Sequence, residues 1–367
     1  MSAVSRILRI HRRGPTPASW LRVFPFLSGC HCEWAGTAYA AMLRAVFRFG
    51  VVVSKNIAIF CDGTNDQFGS VTTNVVHLLR LSERDSDRQR TFYEPGVGTF
   101  GANLFSVNIG TFLGKLLGAA FGYGLAQNLT RAYRYVVETH EPGDRVFIFG
   151  FSRGAFTARS LARLLDAGGL PEPGDSRQLE RIVETYLVDG ADALSRYDNA
   201  RVCRPHFVGV WDTVAALGVL LRWHRFDDRC LSPGVAHAAQ ALAIDEQRAA
   251  FEPTLWAEPE ADQSIHQVWF AGVHSDIGGG YRDRGLADIT LYWMLGQARR
   301  CGLHLAPHAD PDRPGDALGR RHDSYVGCWR WLGRHRRRVP PNASIHASVR
   351  TRMQACPAYA PGNLPGR

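Results

Sequence analysis

Short apolar runs recur along the chain, each closed by a polar or glycine-bearing loop. Ile57 to Phe60, Val146 to Phe149, Phe207 to Trp211 and Val268 to Val273 are the clearest. Continuous apolar character, rather than strict alternation, predicts strands covered on both faces, as in a parallel sheet. Phe92-Tyr93 starts a further short strand that breaks at Pro95-Gly96. Between these runs the apolar positions fall at helical spacing. The groups are Val75, Val76, Leu78, Leu79 and Leu81; Leu125, Leu129, Ala132, Tyr133, Val136 and Val137; Ala155, Ala158, Leu161, Ala162 and Leu165; and Ile289, Leu291, Tyr292, Met294, Leu295 and Ala298. Strands alternating with helices predict an α/β fold with a mainly parallel sheet and helices on both of its faces.

Two regions break this rhythm. From Leu104 to Leu125 the chain is apolar but carries a run of glycines from Gly110 to Gly124, with Asn108 and Lys115 among them. Its length would permit a membrane span, but the glycines and polar residues argue against one. The segment near 100–125 is expected to form a helical cap or lid over a site. Residues 1–54 are the second region. Arg6, Arg9, Arg12, Arg13, Arg22, Arg44 and Arg48 face a single acid there, Glu33, and no secretory signal pattern is present. This stretch is expected to be a disordered basic extension, with a targeting arm as the alternative, and Met42 would give a chain that begins just before the first strand. Residues 55–367 are then one catalytic-sized domain.

Composition changes little in this picture. The chain has 367 residues, 45% hydrophobic and 21% charged, enough apolar content for a large core. A formal charge of +9 favours anionic partners without bearing on the fold. Eight cysteines are scattered without a C-x-x-C pair, which predicts reduced thiols in a protein made in the cytoplasm. Neither a dinucleotide fingerprint nor a phosphate-binding P-loop is present, so no organic cofactor and no metal is expected.

Chemistry enters at the ends of the strands. Gly150-Phe151-Ser152-Arg153-Gly154 follows an apolar run and opens a helical pattern that Gly168-Gly169 ends. Strand, G-x-S-x-G, helix is the form of a nucleophile elbow, in which a strained turn exposes the serine hydroxyl. Asp212 closes the run 207–211, and His274 closes the run 268–273. A serine is a poor nucleophile until a neutral imidazole takes its proton, and a carboxylate then orients that imidazole. The order Ser152, Asp212, His274 is the chain order of α/β hydrolases. Asp276 is the alternative acid, but two residues from His274 it would have to fold back on its own loop. Upstream, the loop Cys61-Asp62-Gly63-Thr64-Asn65 follows the first strand. The N–H of Gly63 or Thr64, with that of Arg153, is expected to form the oxyanion hole. Asp62 either ties down this loop or takes a functional role. Gly278-Gly279-Gly280 allows close backbone approach behind His274.

These residues add up to a resemblance. Phe60 to Thr64, Tyr93 to Thr99, Gly150 to Ala155, Val210 to Val214, Ala243 to Glu246, Trp269 to Tyr281 and Asn363-Leu364-Pro365 together resemble the family of α/β-hydrolase domains that includes phospholipase effectors of bacterial type VI secretion. The resemblance implies an α/β-hydrolase-like fold and a Ser-Asp-His lipase, phospholipase or esterase, with Ser152, Asp212 and His274 at the matching positions. It implies an ester or lipid substrate, contact with a membrane periphery, and release by a route that needs no signal peptide. The large effectors of that family carry a long C-terminal region to which nothing in this sequence corresponds.

Trp329, Trp331 and Leu332 precede Arg334-His335-Arg336-Arg337-Arg338. This cluster reads either as a solvated basic loop or as a surface for anionic lipid. Two further function classes remain: a catalytically idle hydrolase fold acting as an interaction or membrane-associated module, and, on net charge alone, a nucleic-acid binder, which the strand-end residues disfavour.

Overall fold

The computed structural model describes residues 54–63, 72–96, 109–197, 201–214, 230–331 and 333–365, with the backbone alone at 109–123 and at 328. The basic extension 1–53, Thr64 and the first part of the expected cap, 97–108, lie outside the described residues.

Among the described residues seven strands form one sheet in which every strand pairing is parallel: β1 (Asn56–Cys61), β2 (Gln89–Glu94), β3 (Arg145–Phe151), β4 (Pro205–Trp211), β5 (His237–Ala243), β6 (Ser264–Phe270) and β7 (Ser344–Ile345). The expected parallel sheet is thus present. Its strand order is β2-β1-β3-β4-β5-β6-β7. The chain leaves β1 in one direction and passes β3 on the other side, so the order reverses between β1 and β3. In an open α/β sheet the crevice beyond the carboxyl ends at such a reversal is where ligands bind.

The apolar strands divide their residues between two cores. Ile57, Ile59 and Cys61 of β1 and Val146 and Ile148 of β3 face one side, while Ala58, Phe60, Phe147, Phe149 and Phe151 face the other. Both sets are buried, which is why these segments read as unbroken apolar runs. Helices α2 (Ile109–Thr139), α3 (Arg153–Gly168) and α4 (Ser176–Asp189) cover the first side. Helices α1 (Asn74–Leu81) and α6 (Gly285–Arg300) cover the second. Between them in sequence, α5 (His274–Gly278) is a single turn directly after β6. A smaller cluster around Leu242, Trp269, Val339, Val349 and Tyr359 ties α7 (Ala347–Ala355) to the β6 edge.

The glycine-rich segment is helical from Ile109 onward and continues without a break into the amphipathic stretch that ends at Thr139. The separate cap expected before Leu125 is thus, over its described part, the first half of one 31-residue helix. No helix among the described residues is long and apolar enough to cross a membrane.

Candidate active site

Strand β3 delivers Ser152 onto a left-handed turn, with φ 57° and ψ −119°. A non-glycine residue is rarely held there, at a cost of about 1–3 kcal/mol. Two glycines make the turn feasible. A Cβ on Gly150 would stand 2.3 Å from the carbonyl oxygen of Gly154, and one on Gly154 would stand 2.3 Å from that of Cys61. The end of β1 and the first turn of α3 are therefore packed backbone to backbone. The amide of Ser152 donates to Trp211 O at 3.1 Å, so the turn still pairs with the end of β4.

The next strand along, β4, is followed directly by Asp212, also at a positive φ of 44°. Beyond β6, α5 begins with His274. The structure brings these three side chains into one line. His274 Nε2 lies 2.8 Å from Ser152 Oγ, and His274 Nδ1 lies 2.5 Å from Asp212 Oδ2. Asp212 is fully buried, His274 is 4% exposed and Ser152 is half-buried.

Asp276 is turned elsewhere. Its carboxylate accepts from the amides of Val273 and His322 and meets His322 Nδ1 at 2.6 Å, and the His322 ring stacks on Tyr281. Asp62 ties down its loop, accepting from Thr73 Oγ1, Tyr93 OH and the Gly63 amide. The Gly63 N–H expected at the oxyanion is thus held, at 2.8 Å, by its neighbour's carboxylate. Arg153 occupies the first position of α3, directly after Ser152. The glycine run serves close packing: Gly279 bridges to Thr73, and a Cβ on Gly278 would sit 2.0 Å from the Phe151 ring.

Arg337, Glu246 and Phe151 lie in stretches that the sequence marks without giving them a part in the site, and Phe251 lies in none of them. Arg337 is 2% exposed and sends Nη1 to Asp212 Oδ1 at 2.6 Å and Nη2 to Asp212 Oδ2 at 2.9 Å. It also donates to the carbonyls of Ala243 and Phe251. One member of the supposedly solvated basic run is therefore buried against the acid. Glu246 is 1% exposed and accepts from the His274 amide, Ser324 Oγ and both the amide and guanidinium of Arg248. Phe151 and Phe251 pack on the His274 ring, at centroid distances of 4.6 and 4.9 Å.

These contacts set the charges. Burial favours a neutral Asp212, but the Arg337 charge and the His274 hydrogen bond overcome it and hold the carboxyl well below its ordinary range. Burial favours a neutral His274, outweighs the hydrogen bond and charge of Asp212, and lowers its pKa below 6.5. Glu246, despite burial, is drawn down to about 2 by Arg248. A neutral imidazole beside an ionised carboxylate can accept a proton from a hydroxyl. Among the described residues no group of three or more His, Cys, Asp or Glu side chains could hold a metal ion. A cavity of about 200 Å³ beside Asp245, Arg321, Arg336 and Tyr359 includes none of the three aligned residues.

The family model described as T6SS, phospholipase effector Tle1-like, catalytic domain matches residues 55–297. The chain belongs to this family. The matched span contains Ser152, Asp212 and His274 but ends before Arg337. A curated relative, an uncharacterized protein of Saccharomyces cerevisiae, is 31% identical over 220 residues, 54% of this chain. The chain spans about a third of that relative's length, the match covering 32% of it. Two solved structures are also similar. One is an uncharacterized protein from Pseudomonas aeruginosa, 19% identical over 74% of this chain and 50% of that one, with a TM-score of 0.42. The other is the Tle1 effector bound to the VgrG spike of the type 6 secretion system, 21% identical over 63% of this chain and 52% of that one, with a TM-score of 0.36.

Proposed function

We propose that the chain is a serine hydrolase that cleaves a carboxylic ester of a lipid through an acyl-enzyme. The observation that carries this reading is the pair of short contacts at His274, 2.8 Å to Ser152 Oγ and 2.5 Å to Asp212 Oδ2, on a strained elbow. Ser152 Oγ attacks the ester carbonyl as its proton passes to His274 Nε2. Asp212 holds Nδ1–H and stabilises the imidazolium. The tetrahedral oxyanion is received by the N–H of Arg153 at the start of α3, together with the Gly63–Thr64 loop. Gly63 joins only if its amide leaves Asp62. Collapse of the intermediate breaks the C–O bond, and His274 gives its proton to the leaving alcohol. Water, deprotonated by His274, then attacks the acyl-Ser152 carbonyl and frees the acid.

The lipid nature of the ester is supported by the phospholipase family to which the chain belongs. A fluorophosphonate probe tests the nucleophile: it is expected to label the intact protein and not Ser152→Ala. A panel of phospholipid, triglyceride and short-chain esters tests the substrate. Absence of labelling and of turnover in the wild type would leave a hydrolase fold with a binding role only.

A further inference from the structure

The basic run near the C-terminus has two faces. Over 336–339 exposure alternates along the chain. Arg337 and Val339 point inward, while Arg336 and Arg338 point outward. The inward side holds Asp212. The outward side continues a strip of exposed cations through Arg334 and Arg330. Just upstream the 3-10 turn Gly327–Trp331 presents Trp331 to solvent at 90% exposure, with Val326 at 47%. His335 pairs with Glu252, but among the described residues no carboxylate pairs with Arg330, Arg334, Arg336 or Arg338.

The same turn is anchored to the site. The Trp329 ring meets Phe251 edge-on at 5.3 Å, and Phe251 meets the His274 ring at 4.9 Å. Arg248 lies over both Phe251 and Trp329 and binds Glu246, which holds the His274 amide. The exposed strip is therefore two ring contacts from the imidazole and one residue from the arginine that grips Asp212.

An indole almost wholly in water costs free energy that an interfacial layer would recover, because that layer suits an apolar ring with a polar N–H. Arginines beside it that pair with no carboxylate are drawn to the phosphates of an anionic lipid surface. A nucleic acid would use the cations but leave Val326 exposed. We propose that residues 326–338 dock the chain on an anionic lipid surface. Trp331 and Val326 enter the interfacial layer, and Arg330, Arg334, Arg336 and Arg338 face the lipid phosphates. This rests on the lipid-ester reading of Ser152.

The test is sedimentation of the full chain with phosphatidylcholine vesicles, with and without phosphatidylglycerol, alongside turnover of a soluble short-chain ester. The chain is expected to bind the anionic vesicles preferentially and to lose binding as salt rises. Trp331→Ala, and separately Arg336→Gln with Arg338→Gln, are expected to weaken that binding by about tenfold while soluble-ester turnover is unchanged. The arginines before residue 54 are common to every variant, so the difference reports on this strip alone. Variants that bind like the wild type, no preference for anionic vesicles, or tighter binding to duplex DNA would each overturn the proposal. Failure of the hydrolase reading is separate: soluble-ester turnover and fluorophosphonate labelling would be missing while vesicle binding still depended on Trp331.

Discussion

Arg337 closes both of its terminal nitrogens on Asp212, 125 residues before it in the chain, at 2.6 and 2.9 Å. The carboxylate also accepts from the Ala243 amide and from His274 Nδ1, so its position is fixed from three directions. The fork of a guanidinium matches a carboxylate in a way an ammonium cannot. Arg337→Met would leave Asp212 buried with one cationic partner fewer. The expected cost is about 3–5 kcal/mol of stability, read by chemical denaturation. Arg337 acts through Asp212, so a second readout separates positioning from mere folding. With the compensating charge gone, Asp212 would favour the imidazolium more strongly and raise the pKa of His274. The acid limb of kcat/KM against pH should move to higher pH in Arg337→Met and return toward the wild type in Arg337→Lys, which restores the charge without the fork.

For the wild type the same geometry predicts a low acid limb. Burial lowers the His274 pKa more than Asp212 raises it, so the folded value lies below the ordinary 6.5. The charged groups around the ring are Asp212, Glu246, Arg248 and, through Asp212, Arg337. His274 must be neutral to take the Ser152 proton. Activity should therefore persist below pH 6.5 and fall only when pH drops through the lowered value. The stability linkage has the same direction. The unfolded chain binds this proton first, so stability is lost as pH falls from about 6.5 toward the folded pKa. A kcat/KM profile whose acid limb lies above 6.5 would contradict this.

Much of this was legible in the sequence for a simple reason. The sheet is parallel and covered on both faces, so β1, β3 and β4 are continuous apolar runs, and each delivers its last polar residue to the same edge. Ser152, Asp212 and His274 could be picked out because each follows such a run. Strand β5 was not visible: His237-Ala-Ala-Gln-Ala-Leu-Ala is alanine-rich and lacks the β-branched signature of a strand. Arg337 was hidden for a different reason. Its neighbours Arg334, His335, Arg336 and Arg338 are exposed, and nothing in the run of basic residues marks Arg337 as the one turned inward. An arginine two residues before a buried valine, Val339, was the one available signal. Glu246 and Phe251 act on His274 from a loop after β5, and no spacing in the chain relates that loop to β6.

The Ser152–His274 contact also rests on a glycine four residues beyond His274, at the end of α5. A Cβ on Gly278 would meet Phe151 ring atoms at 2.0 to 2.4 Å, and the Phe151 ring lies 4.6 Å from that of His274. Ala at this position must displace Phe151, and the ring has His274 beside it. Gly278→Ala is expected to cost about 1–3 kcal/mol in stability through overpacking. Its effect on turnover should be larger, about 100-fold in kcat, because a displacement on the order of 1 Å at the imidazole is felt directly by the reacting atoms. Phe151→Leu added to Gly278→Ala makes room, so the double variant should recover part of both losses. An additive outcome in that double-mutant cycle would break the link between Gly278 and the site.

Glu246 sets the acid limit of the fold around the site. Its carboxylate is buried, yet Arg248, the Gln247 amide, Ser324 Oγ and the His274 amide all donate to it. Burial alone would raise its pKa, and these partners reverse that and bring it from 4.5 to about 2. A carboxyl whose folded pKa is depressed contributes stability that is complete above its unfolded value and lost as pH falls through the folded one. The window is therefore from about 4.5 down to about 2, and the contribution is about 3 kcal/mol. Glu246→Gln removes the charge but keeps one acceptor oxygen and fills the same volume. It should lower stability near neutral pH and flatten the decline between pH 5 and 2. It should also loosen the amide of His274, which the carboxylate holds at 3.2 Å, and so lower kcat while the pH of the acid limb stays below 6.5. Denaturation midpoints of both proteins across that pH range decide it, since parallel curves would mean that Glu246 is not the group whose protonation weakens the fold.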